Sequence, residues 1–181
     1  MKLLLCQISL TAMLYSQVPL EQAKQQALCE ALQKHHTYIE DSTVVNYVEG
    51  LASHFGEAKV RIVDDFEPWA ESLPCRVVLL SRAFLQKAAS EQDLAQTIAH
   101  MMAHLDQPAF LEGPRIPMWI PAHHPRALVP MGLKSKVAER ETEADRRAAE
   151  WMATFTADPE SAGLREFQAR YKPKKKPTLL R

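Results

Sequence analysis

Glycine is scarce, with five in 181 residues, and neither a phosphate-binding loop nor the glycine fingerprint of a dinucleotide fold occurs. Cysteine is scarcer still. The three, at 6, 29 and 75, are too few and too scattered for a disulfide-dense scaffold or an all-cysteine zinc site. Net charge is absent, with 22 basic and 22 acidic residues, so non-specific nucleic-acid binding finds no global support and no nucleic-acid partner is expected. No run of eighteen apolar residues occurs, which argues against an ordinary transmembrane helix. What remains is average: 46% hydrophobic and 24% charged residues, enough to build one globular domain.

The neutral total conceals an asymmetry. From Leu164 onward there are seven basic residues and one acidic, leaving the preceding chain six charges negative. Lys172 to Pro177 cannot continue a regular helix because two prolines interrupt it, so 171–181 is expected to be a solvated basic tail. At the other end, Lys2 precedes an apolar stretch from Leu3 to Leu14, and no acidic residue occurs before Glu21. That pattern suggests a signal peptide over 1–17 and a periplasmic or secreted protein; a buried first element of a cytoplasmic domain is the alternative. Removal of Cys6 with such a segment would leave Cys29 and Cys75 as an even pair that an oxidising compartment could join.

Between these ends, 18–170 is expected to be one domain. A helix is expected over Leu20–Leu32. A second starts at Asp41 or Ser42, carries Val44, Val48, Leu51 and Phe55 on one face, and stops at Gly56. Lys59–Asp64 alternates as a half-buried strand does, and Arg76–Leu80 is a second strand. Ser81–Ala88 reads as a short helix. Ser90 caps the next, Glu91 to about Asp106, with Asp93 completing an approximate capping box. Six of the twelve prolines then fall between Pro108 and Pro130, so an irregular cover carrying His123 and His124 is expected there. A long helix resumes at Lys136 and runs to Ala157, and Asp158–Pro159 opens a last helix ending near Arg170. The expected class is α+β, mainly helical with a small sheet.

His100 and His104 lie four apart on the Glu91 helix, so both imidazoles share one face and can reach a single zinc ion. Two histidines so spaced are common on exposed helix faces, and alone they prove little. The later helix adds to them. Its stripe of Val137, Glu141, Ala144, Ala148, Trp151 and Phe155 faces the core, and Glu141 interrupts it with a carboxylate. A charge there must be paired, protonated or metal-bound. An ion pair with a neighbouring cation is the simpler account. Asp145, one turn on, can accept a hydrogen bond from a ligand or an imidazole.

Asp93 to Leu105 resembles the active-site helix of the CAAX prenyl endopeptidase/HtpX-like gluzincin metallopeptidases, whose pattern is [ED]-L-A-x-x-[LI]-A-H-E-x-x-H. Glu141-Thr142-Glu143-Ala144-Asp145 is similar to that family's E-x-x-A-D segment, Asp158-Pro159 to its downstream turn, and Trp69–Leu85 to its edge strand and following helix. The resemblance spans roughly residues 40–165. It implies a zincin-like (gluzincin) fold, one zinc held by His100, His104 and Glu141, Asp145 supporting that shell, and a peptide or unfolded protein segment as substrate.

The departures bear on activity. The family's glutamate between the histidines is Met101 here. In such enzymes that glutamate accepts the proton of the attacking water and passes it to the leaving amine, which a thioether cannot do. General acid–base catalysis contributes roughly 10²–10⁴-fold, so the resemblance implies a pseudo-peptidase with no catalytic residue and at most residual hydrolysis. Met101 also extends the apolar stripe of Leu94, Ile98 and Leu105, which suffices to account for it. Cys75-Arg76 replaces the family's glycine pair. An active metalloendopeptidase with an unusual base, and a metal-free interaction module on the same scaffold, are the alternatives.

Overall fold

Capping residues set the helix starts in the computed structural model, which describes residues 23, 26, 27, 29–73, 75–107 and 134–172. The expected leader 1–17, the proline-rich 108–130 segment with His123 and His124, and the tail beyond Lys172 lie outside the described residues. The chain divides into two units, 1–36 and 37–181. Within the first, residues 29–33 are helical and Gln33 Nε2 donates to Cys29 Sγ at 3.1 Å. Cys29 and Cys75 are both disulfide-bonded.

The second unit is α+β. Its strands are β1 (Tyr38–Ile39), β2 (Lys59–Val63), β3 (Ala70–Leu73) and β4 (Val77–Ser81), and they form one mixed sheet in the order β1-β2-β4-β3. β4 runs parallel to β2, with Val60 opposite Val78, and antiparallel to β3, with Ala70 opposite Leu80. The helices are α1 (Ser42–Ser53), α2 (Arg82–Lys87), α3 (Glu91–Leu105), α4 (Lys134–Met152) and α5 (Ala162–Arg170). Asp41, Ser81, Ser90 and Ser161 cap α1, α2, α3 and α5, each side chain accepting an otherwise orphaned backbone N–H.

Alternation along the strands gives the sheet two faces. Val60, Ile62, Ala70, Val78 and Leu80 join a cluster with Val44 and Val48 of α1 and with Leu94, Ala95 and Ile98 of α3. On the opposite face Leu73, Val77 and Leu79 are also buried, and Glu71 is buried among these positions, across from Leu79. Glu71 Oε1 has no hydrogen-bond partner among the described residues. Burial pushes its carboxyl up to about 8.

Several boundaries differ from the sequence expectation. α1 ends at Ser53, with His54 rather than Gly56 closing it through bonds to Leu51 and Ala52 carbonyls. The long helix ends at Met152, where Thr154 and Phe155 turn their N–H groups back to Trp151 and Met152. Asp158–Pro159 does not open a helix: Asp158 caps a local turn through Glu160 N, and α5 begins only after Ser161. Two strands, β1 and β3, join the two expected from Lys59–Asp64 and Arg76–Leu80. The turn between β3 and β4 contains Arg76 at φ +57, a left-handed conformation costing a non-glycine residue about 1 kcal/mol. Bonds from Arg76 to Glu57 O at 2.8 Å and to Asp106 at 3.1 Å hold it there.

A polar knot joins α1, the start of α3 and the start of α5. Ser161 Oγ donates to the Tyr47 hydroxyl at 2.9 Å, Tyr47 donates to Glu91 at 2.8 Å, and Glu91 accepts Asp158 N–H at 2.8 Å. Gly163 lies beneath the Tyr47 ring, where an added Cβ would come within 2.4 Å of Cδ2. Helix propensity alone would make Gly163→Ala stabilising by about 1 kcal/mol. The pinned ring cannot swing away, so overpacking reverses the sign, and we expect a loss of about 3 kcal/mol in urea unfolding. A stability equal to or above wild type would show that Tyr47 yields.

Candidate metal centre

Two helices bring the chemistry together, and small side chains let them approach. Ala95 and Ala99 of α3, and Ala144 and Ala148 of α4, are fully buried, and α3 packs on α4. The i, i+4 spacing puts His100 and His104 on the α3 face turned toward α4, with their rings edge to face at 4.7 Å. Their Nε2 atoms are 3.0 Å apart. Glu141 of α4 meets both, Oε2 at 3.2 Å from His100 Nε2 and Oε1 at 3.5 Å from His104 Nε2.

The outer ring nitrogens decide what the inner ones can do. His100 Nδ1 lies 2.8 Å from Asp145 Oδ1, and His104 Nδ1 lies 3.0 Å from Gln107 Oε1. A carboxylate and an amide oxygen only accept, so each Nδ1 carries a proton. In the neutral rings both Nε2 lone pairs then face inward, together with a carboxylate. Three such groups repel one another unless a cation lies among them, and either a proton or a metal ion serves. The hydrogen bond that Glu141 accepts raises the proton affinity of His100, and His100, then His104, hold Glu141 well below the usual carboxylate range.

The donor set fits a metal. A tetrahedral ion about 2.0–2.1 Å from each ligand requires donors separated by about 3.3 Å. The two Nε2 atoms are 3.0 Å apart, one Glu141 oxygen lies 3.2 Å from His100 Nε2 and the other 3.5 Å from His104 Nε2, and one ligand atom from each residue lies within 4.8 Å of the others, near enough to close on one ion. His100, His104 and Glu141 are the group that could hold a metal ion among the described residues.

The structure thus gathers His100, His104, Glu141 and Asp145. It corrects the reason given for Glu141, whose side chain is 41% exposed and sits at the margin of the apolar stripe rather than within it. Ala144 and Ala148 are the fully buried members of that stripe. Met101 is 3% exposed and belongs to the core cluster. Gln107 went unrecognised in the sequence, although its position three residues after His104 puts it one turn along the same face. No protein-family model and no curated protein matches the chain.

Proposed function

We propose that this chain is a zinc-binding, zincin-like domain of the CAAX prenyl endopeptidase/HtpX type that has lost its general base, and so is an inactive or weakly active pseudo-peptidase. The observation that carries the reading is the convergence of two Nε2 lone pairs and one carboxylate, each imidazole held by an acceptor at Nδ1. His₂Glu is a zinc ligand set that leaves a coordination position open. Two further features support the family. Arg76 adopts a left-handed backbone at a position where the resembling family has glycine, and β3, in the segment that resembles the family's edge strand, stands at an edge of the sheet.

Bound zinc would supply Lewis acidity at the open position. The chain's own residues would then have to move a proton, and here they fall short. Met101 has no titratable proton and packs in the core. Glu141 belongs to the ligand set, and Asp145 accepts from His100. A peptide or unfolded segment remains the natural ligand class, bound without turnover. An exported location, periplasmic or secreted, belongs to the same reading, and the disulfide-bonded state of Cys29 and Cys75 suits an oxidising compartment. Among the described residues no helix is long and apolar enough to cross a membrane.

One observation favours a metal-free module instead: a proton shared by His100, His104 and Glu141 would also satisfy the cluster. Peptidase activity is the functional test. Incubated with an unfolded protein and zinc, the wild type should show no chelator-sensitive cleavage. Robust cleavage abolished by chelator would overturn the loss of the base. Cleavage appearing only in Met101→Glu would identify that position as the lesion.

A further inference from the structure

We propose that Gln107 is a positioning residue that selects the metal-binding tautomer of His104, reading its own orientation from a backbone carbonyl of α4. The inference rests on the zinc-site reading above. It begins at Arg140, whose carbonyl oxygen can only accept and receives Gln107 Nε2 at 2.8 Å. The amide must therefore turn its NH₂ toward α4, which leaves Oε1 for His104 Nδ1 at 3.0 Å. An acceptor at Nδ1 requires the proton there, so Nε2 of the neutral ring points into the cluster as a lone pair. Without Gln107 the proton is free to move to Nε2, where it would meet His100 Nε2 at 3.0 Å and occupy the place of a metal.

Gln107 is itself well placed to act in this way. Its backbone N–H bonds to His104 O at 3.2 Å, so it stays in the turn that ends α3. The preceding Asp106 is gripped from two sides, by Arg76 at 3.1 Å and by Arg147 of α4 at 2.9 Å. The two imidazoles are thus oriented by different chemistry. Asp145, with a side chain 72% exposed, offers His100 a charge, whereas partly buried Gln107 offers His104 a neutral dipole tied to the opposite helix.

The test separates an acceptor from a packing group. Co²⁺ is titrated into the full chain by visible absorption, with a competing chelator setting the affinity, for wild type, Gln107→Leu and Gln107→Glu. Glutamate keeps an acceptor for Nδ1–H but cannot donate to Arg140 O, and leucine keeps only bulk. We expect a loss of about 10–100-fold in affinity for Gln107→Leu, with Gln107→Glu near wild type. Equal affinities in wild type and Gln107→Leu would overturn the role of Gln107 while leaving the metal site standing. Equal weakening in both variants would show that an acceptor at His104 Nδ1 does not set the affinity, and would also overturn it. No Co²⁺ binding by the wild type would remove the zinc reading and this inference together. Should Gln107→Leu fail to fold, Gln107→Ala makes the same comparison against Gln107→Glu.

Discussion

Protein prepared without a histidine tag should contain about one zinc per chain, and His104→Ala should contain none after the same reconstitution. The expectation follows from donor geometry, since removal of one of three convergent ligands leaves His100 and Glu141 alone to hold the ion. Bound metal stabilises the native state by mass action, by about 4 kcal/mol when free metal exceeds Kd a thousandfold. For a chain of this size that corresponds to a Tm change on the order of 10 °C. Chelator should therefore lower the wild-type Tm by that amount and leave the His104→Ala Tm where it is. Acid should release the metal too, because the proton affinity of His100 is raised within the cluster and protons compete for its Nε2. Zinc-free protein with a chelator-insensitive Tm would show that a shared proton and an ion pair hold the cluster, and the metal-free module would then stand.

The second large effect concerns pH and lies on the other face of the sheet. Glu71 is 8% exposed, its Oε1 has no partner among the described residues, and burial pushes its carboxyl from 4.5 up to about 8. An unfolded chain releases this proton near 4.5 and the folded chain keeps it until about 8. Between those values the native state binds more protons, so stability falls as pH rises. The contribution is complete below about 4.5, is lost progressively through the interval, and is gone above about 8. Across that interval the loss is on the order of 5 kcal/mol. Other groups titrate as well, so the readout is a difference. Urea unfolding of wild type and Glu71→Gln, run from pH 5 to pH 9, should diverge steadily, with the amide variant the more stable at the alkaline end. Parallel stability profiles would mean that Glu71 ionises freely in the folded protein.

Much of the local structure could be read from the chain because its causes are local. Ser90 with Asp93 marks the start of α3, Asp41 that of α1, and the four-residue spacing of His100 and His104 sets both rings on one helix face whatever surrounds them. The last helix starts later than its local sequence suggests, and the cause is distant. Asp158-Pro159 has the residues of a helix start, but Glu91, 67 positions earlier, takes the Asp158 N–H, and Ser161 takes over the cap. β3 was concealed by its composition. Glu71 and Ser72 sit in a four-residue strand, so apolar alternation is too short to register, and only resemblance pointed to it.

The candidate centre divides along the same line. The sequence by itself determined the α+β class, the pair of imidazoles on one face, and a carboxylate and its neighbour one turn apart on a later helix. Tertiary structure decided the rest: that α4 lies against α3 with one Glu141 oxygen facing each Nε2 atom, that Asp145 reaches His100, and that Gln107 reaches both His104 and the Arg140 carbonyl. It also placed β4 between β2 and β3, and with it a buried Glu71 opposite Leu79. Helix faces and caps follow from periods of a few residues along one chain segment. Ligand convergence, tautomer choice and burial of a carboxyl depend on which distant segments meet, and those pairings are settled by packing the whole core.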